Sequence, residues 1–157
     1  MLRLFILLVT IGSVLPMYAG GLEKKQEADF QKNFNIAKRH LSNREISDAL
    51  PYLLYLNQKN PKNANLKYLI GLCYVELEII NPKTIELITE ASNKMSLEYN
   101  PNTIEEQRVP IYVYYYLSIA YAQNKECELA EKNRDIFMDI YPYDDSYYPD
   151  ESMRWIK

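Results

Sequence analysis

From about residue 22 onward, apolar positions recur at intervals of three and four, the period of a helix with one buried face. Glycine is sparse, and proline falls where such helices would meet: Asn-Pro at 60–61, 81–82 and 100–101, and Tyr-Pro at 141–142. That pairing suits a turn that closes one helix and opens the next. The pattern predicts an all-α chain. Ser42-x-x-Glu45 reads as a capping box, and Asn81-Pro82 as N-cap followed by the first helical residue. One stretch resists the pattern, PIYVYYYLSIAYAQ at 110–123. Residue preference alone would make it a strand, but strict alternation would leave neither side polar. As a helix opened by Pro110, it places Tyr114, Leu117, Ser118 and Tyr121 on one packing face. Tyr112, Tyr115 and Ile119 then turn to a second face, and Tyr116 to the outer side or the preceding loop.

The helical pattern repeats. Ala49, Leu53, Leu56 and Pro61 share their spacing with Ala130, Arg134, Phe137 and Pro142, although Arg134 stands where the first set is apolar. Lys67, Ile70, Gly71 and Tyr74 share theirs with Tyr114, Leu117, Ser118 and Tyr121. These positions resemble the tetratricopeptide repeat: a bulky residue, Leu-Gly and Tyr on the first helix, then A-x3-F-x2-A and a closing proline on the second. The resemblance implies an α-solenoid of about three helix-turn-helix units across residues 22–144. Repeat one is 30–63, with Asn33, Ile36, Ala37 and His40 in the signature slots of its first helix. Repeat two begins at residue 64, and its second helix fits as Thr84, Ile88 and Ala91 if one residue is added to the inter-helix turn. It extends to residue 110 through an insertion, MSLEYNPNTIEEQRV. Repeat three is 111–144, and 145–157 is a tail or the start of a capping helix. Small residues at Gly71, Ser118, Ala49 and Ala130 are expected to let helices approach closely.

The first twenty residues change the picture. MLRLFILLVTIGSVLPMYAG has one basic residue, an apolar middle and a small-residue exit, the layout of a secretory signal peptide at 1–20. An uncleaved anchor is the alternative. Export to a periplasmic, outer-membrane-associated or secreted location follows. The chain is close to charge balance, with 18 Lys+Arg against 21 Asp+Glu, which argues against nucleic acid or an anionic membrane surface as partner. Cys73 and Cys127 read as small buried hydrophobes, with no CxxC or metal-type cluster around them.

A narrower likeness lies in the order of ALPYLLYLNQKNPKNANLKYLIGLCY, NPKTIELITEASNKMSLEYNP and RVPIYVYYYLSIAY. Over about residues 30–142 these are similar to the N-terminal tetratricopeptide region of large Bacteroidetes envelope proteins of the OmpA family. In that family a β-propeller, a carboxypeptidase-regulatory-like domain and a peptidoglycan-binding domain follow, and some members serve type IX secretion or gliding. None of those later domains is present in this sequence. The resemblance therefore implies an envelope location and a binding role, either as a short relative or as an N-terminal part of such an assembly.

Catalytic chemistry finds little support. His40 occupies a packing slot, and the pairs Glu105-Glu106, Asp144-Asp145 and Asp150-Glu151 read as solvated or dipole-stabilising carboxylates. No phosphate-cradling loop, nucleophile elbow, EF-hand or cofactor motif is visible. The expected activity is non-enzymatic binding of a peptide or partner domain, with no cofactor or metal. In a stack of helix pairs the first helices line a concave surface. Here that groove would be lined by Phe34, Lys38 and Leu41, by Asn65, Tyr68, Leu72 and Glu76, and by Tyr112, Tyr115, Ile119 and Gln123. Its aromatic character suits a protein interface. An external ligand, a filling by the chain's own N-terminal helix or tail, and burial in a homo-oligomer all remain open. Use of the tyrosines as stacking surfaces for glycan or nucleic acid ranks below these, given the acidic balance.

Overall fold

The computed structural model describes residues 16–141, with side chains from residue 24. Most of the expected signal peptide, the tail at 145–157 and the acidic pairs Asp144-Asp145 and Asp150-Glu151 therefore lie outside the described residues. Six helices follow in order: α1 Pro16–Ser42, α2 Ile46–Lys59, α3 Ala64–Glu76, α4 Pro82–Ser92, α5 Tyr112–Gln123 and α6 Cys127–Ile140. The expected signal-peptide exit, Ala19-Gly20-Gly21, falls inside α1. Among the described residues there is no strand, and no helix is long and apolar enough to cross a membrane.

Three short connections pair the helices as α1–α2, α3–α4 and α5–α6, which also pack in sequence, α2 on α3 and α4 on α5. Each pair turns in the same way. Arg44, Glu78 and Lys125 adopt left-handed backbone conformations with φ of 61°, 58° and 63°. Around Arg44 the chain donates from Arg44 N to Leu41 O and from Glu45 N to His40 O. The same two bonds recur as Glu78 to Val75 with Ile79 to Tyr74, and as Lys125 to Ala122 with Glu126 to Tyr121. This is a Schellman helix end. Counted from Phe30, Ala64 and Ile111, the left-handed residue stands at the same position of all three units. The helical repeat is thus written in the backbone up to that turn; extra residues follow it in the connection from Glu78 to Asn81 before α4, and again in the longer connection between α4 and α5.

Helix starts divide between expectation and correction. Asn81 accepts from Lys83 N and Thr84 N with Pro82 behind it, and Asn63 likewise accepts from Leu66 N at the start of α3. Such a cap is worth about 1 kcal/mol. The capping box at Ser42 and Glu45 does not form, because Ser42 is the last residue of α1. Glu45 stands at the α2 N-cap without a side-chain cap bond, its carboxylate turned instead to His40 Nδ1 at 2.6 Å. Cys73 is buried, and its burial and the nearby Glu76 push the thiol up to about 12; Cys127 is exposed, not the buried hydrophobe expected.

The core runs along α3, which is buried on nearly every side between α2, α4 and α5. Its packing with α4 closes tightly over Gly71. A Cβ built there would lie 2.2 Å from Cγ1 of the fully buried Ile88. Outside the core, Lys67 on α3 pairs with Glu90 on α4.

Candidate functional site

The first helices α1 and α3 do not pack against each other. The connection between α4 and α5, residues 93–111, bridges them instead. Lys38 Nζ on α1 donates to Asn102 Oδ1 at 3.2 Å. Asn63 Nδ2 donates to Glu106 O at 3.2 Å, and Tyr99 OH donates to Asn65 Oδ1 at 3.1 Å. The ends of this connection are tied by Val109 N to Lys94 O and Ser96 N to Val109 O, both 3.0 Å. Close ends and internal packing make it an Ω-loop.

Glu106 organises the loop. Its carboxylate accepts from the backbone N–H groups of Asn100 (2.8 Å), Gln107 (3.1 Å) and Arg108 (2.9 Å). The Arg108 guanidinium adds Nε at 2.8 Å and a terminal nitrogen at 2.9 Å, a bidentate pair. Arg108, opposed by burial and aided by the Arg108 and Asn100 amides, holds the Glu106 carboxyl at about 2. The acidic pair Glu105-Glu106 therefore separates into an exposed Glu105 and a buried structural anchor, rather than two solvated carboxylates.

This arrangement revises the expected groove. Phe34, Leu41, Tyr68 and Leu72 are buried in the core and line no surface. Lys38 and Asn65 face the chain's own loop, through Asn102 and Tyr99. Glu76 is exposed and accepts from Tyr116 OH at 3.3 Å. On α5 the core stripe is Val113, Tyr116, Leu117 and Ala120, one residue round from the expected face. Tyr116, left for the outside by the periodicity, is 1% exposed and meets Tyr68 edge-on with ring centroids 6.2 Å apart. Tyr112 and Tyr115 consequently join the seam with α6, at 5.5 and 5.7 Å from Phe137. Ile119 and Tyr112 are half-buried, while Tyr115 and Gln123 are exposed.

Tyr68 supplies a direct check on its own placement. Its hydroxyl is buried with no hydrogen-bond partner. An orphaned buried hydroxyl costs about 1–3 kcal/mol, so its removal is not penalised. Tyr68→Phe is expected to match or exceed the wild-type melting temperature. A clear fall would mean that the hydroxyl has a partner and is not enclosed among apolar neighbours.

The open concave site lies elsewhere. A cleft of about 850 Å³ is formed by the N-terminal half of α1, the C-terminal end of α2 and the edge of the Ω-loop. That lies within the range of about 300–1,000 Å³ usual for ligand sites. Its apolar floor is Phe30, Tyr55 and Ile104, each half-buried. Tyr55 OH donates to Asp29, and Lys59 Nζ sits 5.4 Å from the centre of the Tyr55 ring. Glu27, Lys25 and Glu105 add charge to the walls. None of the eleven expected groove residues, from Phe34 on α1 to Gln123 on α5, lines this cleft. Sequence pattern had no access to it, because one wall depends on where the loop folds back.

A smaller cluster sits at the α1–α2 turn, where ligand-type atoms of His40, Glu45 and Asp48 lie within 4.8 Å of one another. The His40 ring stacks on Tyr52 at 5.8 Å, and its bond to Glu45 ties the two helices of the first pair. No family model, no curated protein and no solved structure matches the chain.

Proposed function

We propose that the chain is an exported, non-enzymatic helical-repeat module of tetratricopeptide type that binds a protein partner in the cell envelope. The observation that carries this reading is the cleft between α1, α2 and the Ω-loop, with an apolar floor and polar walls contributed by three separate elements. Such a constellation suits the capture of a ligand that is part apolar and part polar. The recurrent turn geometry supports the repeat assignment, and the N-terminal sequence supports export.

A second reading, a structural part of a larger envelope assembly, is favoured by one feature. On α6 the large apolar side chains Leu129 and Met138 are 39% and 41% exposed. The two stand nine residues apart, on opposite sides of the helix, so each offers a separate apolar point of contact for a neighbouring protein and not one continuous patch.

Photo-crosslinking separates the two. With benzoylphenylalanine at Gln107, on the rim of the cleft, irradiation of intact cells is expected to give a discrete adduct of higher mass. Adducts from position 138 alone would favour the assembly reading and remove the cleft as the binding surface.

A further inference from the structure

The turn that joins α1 to α2 gathers the chain's single histidine with two carboxylates. His40 lies in the last turn of α1, Glu45 at the N-cap of α2 and Asp48 in the first turn of α2. Their ligand-type atoms all fall within 4.8 Å of one another. The His40 ring is half-buried and stacks on Tyr52 at an interplanar angle of 20°, so its direction is set. It turns Nδ1 to the Glu45 carboxylate at 2.6 Å. Glu45 and Asp48 are both exposed. Among the described residues no lysine or arginine pairs with either carboxylate.

Neighbouring carboxylates repel each other unless a positive group stands between them. The start of α2 explains why two acids collect there. It does not explain an imidazole turned into them and pinned by a ring stack. Calcium and magnesium take oxygen ligands, whereas one imidazole nitrogen with carboxylate oxygens suits a divalent transition metal. We propose that His40 Nδ1, Glu45 and Asp48 form a site for a divalent ion of the zinc class. The ion clips the last turn of α1 to the first turn of α2 and leaves its remaining position to water. On binding, the neutral ring moves its proton from Nδ1 to Nε2 by way of water and offers the freed lone pair to the metal. Bonds of about 2.0–2.2 Å place tetrahedral ligand atoms about 3.3 Å apart. The His40–Glu45 pair must therefore open slightly and Asp48 close in, movements that two exposed carboxylate side chains can make. The site lies apart from the cleft, which none of the three residues lines.

The test is a titration of the untagged chain with zinc, carried out on the Cys127→Ser variant so that the exposed thiol does not compete as a ligand. Calorimetry is expected to give one zinc per chain, with a rise of several degrees in melting temperature that a chelator reverses. Because His40 is the only histidine, its two ring C–H resonances report coordination directly. They should shift in step with the first equivalent of zinc and stay in place with calcium. His40→Gln and Asp48→Asn should each weaken zinc binding at least tenfold. Asp48→Asn changes an exposed side chain, so without metal it should melt with its parent, and its loss of zinc is then not a loss of fold. Absence of saturable zinc binding, unmoved His40 resonances, or undiminished affinity in Asp48→Asn would each overturn the proposal. So would calcium binding as tight as zinc, which would mark a plain acidic cluster.

Discussion

Replacing Gly71 with alanine is expected to lower the melting temperature, although alanine is the better helix former. The exchange gains about 1 kcal/mol of intrinsic helix preference. Against this, the new methyl would meet Ile88 Cγ1 at 2.2 Å and Cδ1 at 3.0 Å. Ile88 is fully buried, so its side chain can yield only by displacing other core atoms. Overpacking of a closed core typically costs about 1–3 kcal/mol, and more where the backbone itself must separate. We expect a net fall of several degrees on heating, on the scale of about 2–8 °C per 1–2 kcal/mol for chains of this size. Gly71→Leu should be worse. The informative variant combines Gly71→Ala with Ile88→Ala. Alone, Ile88→Ala should cost about 2–5 kcal/mol by opening a cavity. In the pair, one change fills the space that the other vacates, so the combined loss should be smaller than the sum. Additive losses, or a rise in stability for Gly71→Ala alone, would show that α3 and α4 do not meet as described.

The second large effect is expected at Glu106. Glu106→Gln preserves the shape of the side chain and removes the charge that the loop amides and Arg108 are arranged around. Hydrogen bonds to a charged group contribute about 1.5–3 kcal/mol, so a loss of about 2 kcal/mol is expected. It should appear first as faster amide exchange across residues 94–109. The same group predicts an acid limit. The Glu106 carboxyl lies at about 2 in the folded chain against an ordinary 4.5. A depressed carboxyl contributes its stability above the ordinary value and loses it as pH falls toward the folded one. The wild-type chain should therefore weaken between about pH 4.5 and pH 2 more steeply than Glu106→Gln. Parallel pH profiles for the two proteins would contradict this account.

The comparison of pattern with structure turns on a few residues. Helices α2 and α4 were legible because Ala49, Leu53 and Leu56, or Thr84, Ile88 and Ala91, mark one face against polar neighbours. Gly71 and Asn81 were legible because close approach and helix capping are local demands. The facing of α5 was not. With tyrosine or an aliphatic residue at nearly every turn, it has no polar side to set its rotation, and Tyr116 rather than Tyr115 became core. The capping box failed because two local motifs competed for Ser42 and Glu45, and the left-handed turn at Arg44 prevailed. The cleft was illegible for a different reason. Its loop is positioned by Glu106 accepting from neighbouring amides and by Lys38 reaching Asn102, and hydrophobic periodicity carries neither.

A stack in which each helix pair touches only the next can come apart link by link, with a separate stability for each joint. The Ω-loop alters that arithmetic. It leaves the second pair, reaches back to the first helix of the first pair, and ends at the first helix of the third. Loss of any one pair therefore strips contacts from a segment that all three share. The described helices are therefore expected to melt in a single cooperative step, as a globule does, even though their backbone repeats like an array.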